Sequence, residues 1–159
     1  MTGFWRCALY AAALGVVFFP IGRLAARHRF RWDAFPWKDY PFERGGTVYR
    51  ALGIHRWQAK APDMSRVFPK LMPPKRLYPG ISAPEVEQMV QETCVAEWTH
   101  LALILAALPC LLLWPGWGGA AFYLVYALLG NVTFILIQRF TRPKLAALAK
   151  KLRAKEARG

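Results

Sequence analysis

Three stretches of the chain are apolar enough, and long enough, to cross a bilayer: residues 4–22, 99–117 and 119–138. Each comes close to the ~20 residues that a helix needs to traverse a hydrocarbon core of about 30 Å. The only charge inside them is Arg6, which lies near an end where its stem can carry the guanidinium to the head groups. The pattern predicts an all-α membrane protein with three transmembrane helices, forming a single membrane domain over residues 1–159.

Between the first and second spans, residues 23–98 carry no sustained helical or alternating pattern until Ser82. From Arg27 to Pro79 this segment is rich in proline, basic residues and aromatic rings such as Trp32, Trp37, Tyr40 and Trp57. Such rings suit the boundary between hydrocarbon and head groups, so the segment is expected to rest on the membrane surface rather than fold as a separate globule, with short helices around Thr47 to Gly53. Ser82, Ala83, Pro84 and Glu85 read as a capping box that starts a long helix running into the second span, and Pro109 predicts a kink in it. The third span continues past Pro143 into a basic helical tail, residues 139–159.

Charge orients this picture. The chain has 22 Lys and Arg against 9 Asp and Glu, a formal net charge of +13. These cations crowd into residues 23–98 and the tail, while the turn from Pro115 to Gly119 has no charged residue. By the positive-inside rule the interfacial segment and the C-terminus are cytoplasmic and the N-terminus is outside, which makes a multi-pass protein of the cell membrane. Phe18, Phe19 and Pro20 stand where a signal peptide would need small residues, so the first span reads as an uncleaved anchor. Spans and surface aromatics disfavour nucleic acid as the partner of the positive charge. The three cysteines, Cys7, Cys94 and Cys110, show no CxxC spacing and imply neither a disulfide framework nor a metal site.

Polar residues in or beside a spanning helix are costly and mark functional candidates. Glu97 and His100, three positions apart, share a helix face at about 60° in projection and roughly 4.5 Å along the axis. Glu92 joins that face about 12 Å from His100. On the third helix Asn131 and Gln138 lie about 20° from eclipsed, and Arg142 extends the stripe. The short turn forces an antiparallel hairpin, which brings Glu97 level with about residue 137 and His100 level with about residue 134. A histidine beside a carboxylate can act as a general base, and it can equally be an interface ion pair. Asn131 and Gln138 can likewise serve only as interhelical hydrogen bonds. His28 and Asp33 have H-x-x-x-x-D spacing but lack a surrounding βαβ pattern, and Cys94 reads as a small buried residue rather than a nucleophile.

Longer motifs run through the same residues. They are Phe-Glu-x-x-Gly at Phe42, Glu43 and Gly46; Tyr49; W-x-x-K-x-x-D at Trp57, Lys60 and Asp63; E-T-x-x-A-E-x-x-H from Glu92 to His100; and N-x-x-x-x-x-x-Q-R-[FY]-x-R-P-[KR]-L from Asn131 to Leu145. On these motifs, from about Phe42 onward, the chain resembles the glycosyl-4,4'-diaponeurosporenoate acyltransferase family. It departs from the family pattern at Gln58, where lysine is frequent, and at Cys94, where relatives tolerate a basic residue.

The resemblance implies transfer of a fatty acyl group from an acyl thioester, acyl-CoA or acyl carrier protein, to a sugar hydroxyl of a glycosyl carotenoid or other glycolipid, with no resident cofactor. It implies His100 and Glu97 as the catalytic pair, and Asn131, Gln138, Arg139, Arg142 and Glu92 as oxyanion or substrate-positioning residues. Donor or interfacial binding would fall to Arg56, Trp57, Lys60 and Asp63. The competing class is a non-catalytic membrane partner or a scaffold for anionic lipids.

Overall fold

The computed structural model describes residues 2–58 and 77–158. Among them the structure is all-helical, without a strand. The helices are α1 (Gly3–Leu24), α2 (Thr47–Ala51), α3 (Ile54–Trp57), α4 (Ala83–Ala106), α5 (Cys110–Leu113), α6 (Trp117–Ala127) and α7 (Thr133–Glu156). Three helical stretches are long and apolar enough to cross a membrane: Gly3–Leu24, Ala83–Leu113 and Trp117–Glu156. The chain divides into two compact units, one of residues 1–30 and 94–138, the other of residues 31–93 and 139–159.

The first unit is a helical hairpin with α1 packed on it. Close approach depends on small residues, as expected where lipid tails remove the hydrophobic drive between helices. A Cβ at Gly22 would lie 3.0 Å from Thr99 Oγ1, and one at Gly119 would lie 2.1 Å from the Trp114 carbonyl oxygen. Phe4 packs edge-on against Phe122 at 5.9 Å between ring centroids. Large apolar side chains such as Val16, Leu105, Leu112 and Leu129 point outward. In water that surface would be unfavourable, and in a bilayer it is the lipid-facing side.

Pro109 acts more strongly than a kink. It ends α4 at Ala106, and the chain crosses the break on shorter-range bonds, Cys110 N–H to the Ala107 carbonyl at 2.9 Å and Leu111 N–H to the Leu108 carbonyl at 3.0 Å. The Ala106 carbonyl then accepts the Tyr10 hydroxyl at 2.9 Å, which satisfies in an apolar setting an acceptor that the regular ladder would have used. A second irregularity sits across the hairpin, where Leu128–Val132 forms a π-helical turn between α6 and α7.

The second unit contains the segment expected to lie flat on the membrane surface. That unit has an interior, in which Tyr49, Ile54, Val86, Val90, Phe140 and Ala149 are buried. Its α4 start shows the carboxylate half of the expected capping box, with Ser82 N–H and the Ser82 hydroxyl both donating to Glu85, at 2.9 and 2.6 Å. The C-terminal end of α7 ties back to the same region. Ala83 N–H donates to Glu156 at 3.0 Å and Arg153 donates to Glu87 at 2.6 Å. The turn Pro41–Gly46 ends in three left-handed residues, Arg44, Gly45 and Gly46. At Gly46, φ is +86° and a Cβ would meet the Phe140 carbonyl oxygen at 3.3 Å, so both conformation and space call for glycine.

Candidate active site

In the first unit the hairpin sets His100 against the π-helical turn. His100 Nδ1 lies 3.0 Å from Asn131 Oδ1, and the imidazole stacks on Phe134 with centroids 4.9 Å apart and planes within 5°. The expected level of His100, near residue 134, is where the structure puts it.

Asn131 is 2% exposed. Its amide nitrogen donates to the Tyr126 carbonyl at 2.9 Å, so the oxygen faces the imidazole and accepts from it. Asn131 sits within the π-helical turn Leu128–Val132, five residues after the Tyr126 carbonyl to which it donates. The consequence of the oxygen facing the imidazole is a defined tautomer: Nδ1 carries the proton and Nε2 the lone pair.

Glu97, 3% exposed, lies one turn from His100 on α4. Gln138, half-buried, lies one turn from Phe134 on α7. Since the helices run antiparallel, both steps lead in the same direction away from the imidazole stack. The unit thus offers a base of fixed tautomer, a buried carboxylate and a side-chain amide within about one turn of each other.

In the second unit the remaining motif residues form a polar core. Glu43, 1% exposed, accepts the Tyr49 hydroxyl, Tyr40 N–H at 2.7 Å and Arg139 at 3.2 Å. Arg139 also donates to the Pro36 carbonyl at 2.8 Å and lies over the Tyr40 ring. Arg142 is 3% exposed and spends its fork on Thr93 Oγ1 at 2.8 Å, the Thr93 carbonyl at 3.2 Å and the Trp37 carbonyl at 2.8 Å. These bonds show how the Phe-Glu-x-x-Gly, Tyr, Glu-Thr and Gln-Arg-Phe-x-Arg motifs meet: they hold a fold together. Sequence reading placed Arg142 by helix phase and Arg139 through the family motif, and had no signal for their carbonyl partners, Pro36 and Trp37 in a distant loop and Thr93 on α4.

Glu92 is half-buried on α4, in this second unit. Trp57 is half-buried, its indole N–H donating to the Leu52 carbonyl at 3.3 Å, and Arg56 is exposed on α3. Lys60 and Asp63 lie outside the described residues. A groove of about 420 Å³ opens in this unit, with Val90, Ala146 and Ala149 on its floor and Arg139, Lys150 and Arg153 along its wall. Cys94 is fully buried. Asp33 is exposed and held by Arg31 at 3.1 Å, and the hydrogen bond from that guanidinium lowers its carboxyl below the ordinary range. Among the described residues no three His, Cys, Asp or Glu side chains cluster as ligands for one ion.

The described residues combine three membrane-length apolar helices with an imidazole held by a buried side-chain amide. The family model for glycosyl-4,4'-diaponeurosporenoate acyltransferase matches residues 28–151, and the chain belongs to that family. Curated relatives of that name from Staphylococcus aureus strains Newman and N315 are 26% and 25% identical over 154 residues, covering 96% of this chain and 91% of theirs. No solved structure matches. The chain is an acyltransferase of the membrane.

Proposed function

We propose that the protein moves a fatty acyl group from a thioester, coenzyme A or acyl carrier protein, onto a sugar hydroxyl of a glycosylated lipid at the cytoplasmic face of the cell membrane. The relatives are named for a glycosylated carotenoid acid, and a glycosyl carotenoid is the first acceptor to test. The observation that carries the reading is the His100–Asn131 hydrogen bond on the hairpin, which leaves Nε2 as the basic nitrogen.

In the proposed step Nε2 of His100 removes the proton of the sugar hydroxyl as its oxygen attacks the thioester carbonyl carbon. Asn131 holds the ring, and the buried Glu97 carboxylate stabilises the imidazolium. The Gln138 amide supplies a donor to the developing oxyanion. Collapse of the tetrahedral intermediate breaks the C–S bond, and the imidazolium returns its proton to the leaving thiolate. The products are an ester and a free thiol. Arg139 and Arg142 support the site by holding the fold, since their donors are engaged by Glu43, Thr93 and backbone carbonyls.

Positive charge on residues 23–98 and on the tail favours a cytoplasmic placement of both, with the N-terminus outside. The test is reconstitution of purified protein with a glucosylated carotenoid acid and a palmitoyl thioester, read by mass spectrometry. A product heavier by one fatty acyl group, formed with stoichiometric release of thiol, supports the proposal. Thiol release unchanged by the acceptor, with no acylated product, refutes it.

A further inference from the structure

Arg50 on α2, His55 on α3 and Lys144 on α7 converge on a second concavity of about 340 Å³ in the second unit. All three are exposed, and among the described residues none forms an ion pair. Arg50 and Lys144, like charges brought together from separate segments, repel one another unless an anion joins them.

The geometry around them is fixed. Lys144 is held with its ammonium 3.1 Å from the centroid of the Phe140 ring, and Phe140 is 2% exposed. Gly45 and Gly46 also line the concavity and bring no side chain into it. Asp39, the carboxylate that reaches this loop, accepts Gly45 N–H at 2.9 Å and lines the larger groove instead. The basic position in P-[KR]-L, filled by Lys144, has no part in the acyl-transfer step described above.

We propose that this concavity binds a phosphate group, with Arg50 as a forked donor, Lys144 as a point charge and His55 as an additional ring donor. The phosphate belongs either to the acyl-thioester donor or to an anionic lipid head group. The first case deepens the acyl-transfer reading and rests on it. The phosphate site itself does not.

The full-length protein in neutral detergent is titrated with coenzyme A, and separately with short-chain phosphatidylglycerol in the same micelles. Variants are Arg50→Gln, Lys144→Gln and, as a control elsewhere on the surface, Arg31→Gln. Each site variant is expected to weaken binding roughly tenfold, from loss of one charge-assisted bond, while the control binds as wild type. An unchanged thermal midpoint shows that the fold is intact. Loss confined to the coenzyme A arm supports a donor phosphate, and loss confined to the lipid arm supports a head group. Wild-type affinity for both probes in both site variants overturns the proposal. Absence of acyl transfer by a wild-type protein that binds coenzyme A through these residues would overturn the enzymatic reading and leave the phosphate site standing.

Discussion

Replacing Asn131 by Leu tests the positioning of the base directly. The variant loses two hydrogen bonds, the one from His100 Nδ1 at 3.0 Å and the one to the Tyr126 carbonyl at 2.9 Å. When the imidazole is protonated during the reaction, the first of these becomes a bond from a charged donor, of the kind that contributes about 1.5–3 kcal/mol. At 1.36 kcal/mol per tenfold in rate, its loss lowers kcat by roughly 10- to 100-fold. Asn131→Asp restores an acceptor and is expected to recover part of the loss. Initial rates of acyl transfer are compared at equal amounts of inserted protein, with acceptor and donor varied so that kcat and KM separate. A positioning role predicts a fall in kcat, with rescue by Asp. Wild-type kcat in Asn131→Leu would refute the role, as would an equal loss in Leu and Asp variants.

Three further outcomes follow from packing. Glu43→Ala leaves the Arg139 guanidinium without its carboxylate partner, and removing one member of such a buried pair costs about 3–5 kcal/mol, so the thermal midpoint in detergent falls sharply; an unchanged midpoint contradicts the polar-core account. Gly46→Ala meets both a left-handed φ and the Phe140 carbonyl, whereas Gly53→Ala meets a left-handed φ in open space. Gly46→Ala is therefore expected to destabilise the fold by the ~1 kcal/mol conformational cost plus a clash, and Gly53→Ala by the first contribution alone, with equal shifts of the midpoint counting against the close approach. Gly22→Leu places a side chain where Thr99 Oγ1 already lies 3.0 Å from a would-be Cβ, and reduced thermal stability with retained membrane insertion is the expected result.

What the sequence revealed depended on periodicity and length. The three apolar stretches, the Ser82–Glu85 cap, the short helix from Thr47 and the level of His100 beside residue 134 all follow from local pattern plus the geometry of a tight hairpin. The π-helical turn was not legible, because the local pattern of Leu128 to Val132, apolar apart from Gly130 and Asn131, is equally compatible with an ordinary helix. Helix phase and hairpin level set the His100 face opposite the Asn131 face, and the π-helical turn brings the direct bond between them, which phase alone did not specify. The compact second unit was hidden for a different reason: its stability comes from Glu43, Arg139, Arg142 and Thr93, whose meeting is a property of the folded chain. Aromatic and basic residues that resemble a membrane-surface belt are partly consumed in that interior.

The central claim is that His100 drives transfer of an acyl group to a membrane glycolipid. The most direct measurement is lipid mass spectrometry of cells that make a glycosylated carotenoid acid and express the wild-type chain, His100→Ala at matched membrane abundance, or neither. The account predicts a glycolipid shifted by one fatty acyl mass with the wild type alone. The same species at wild-type level with His100→Ala would contradict it.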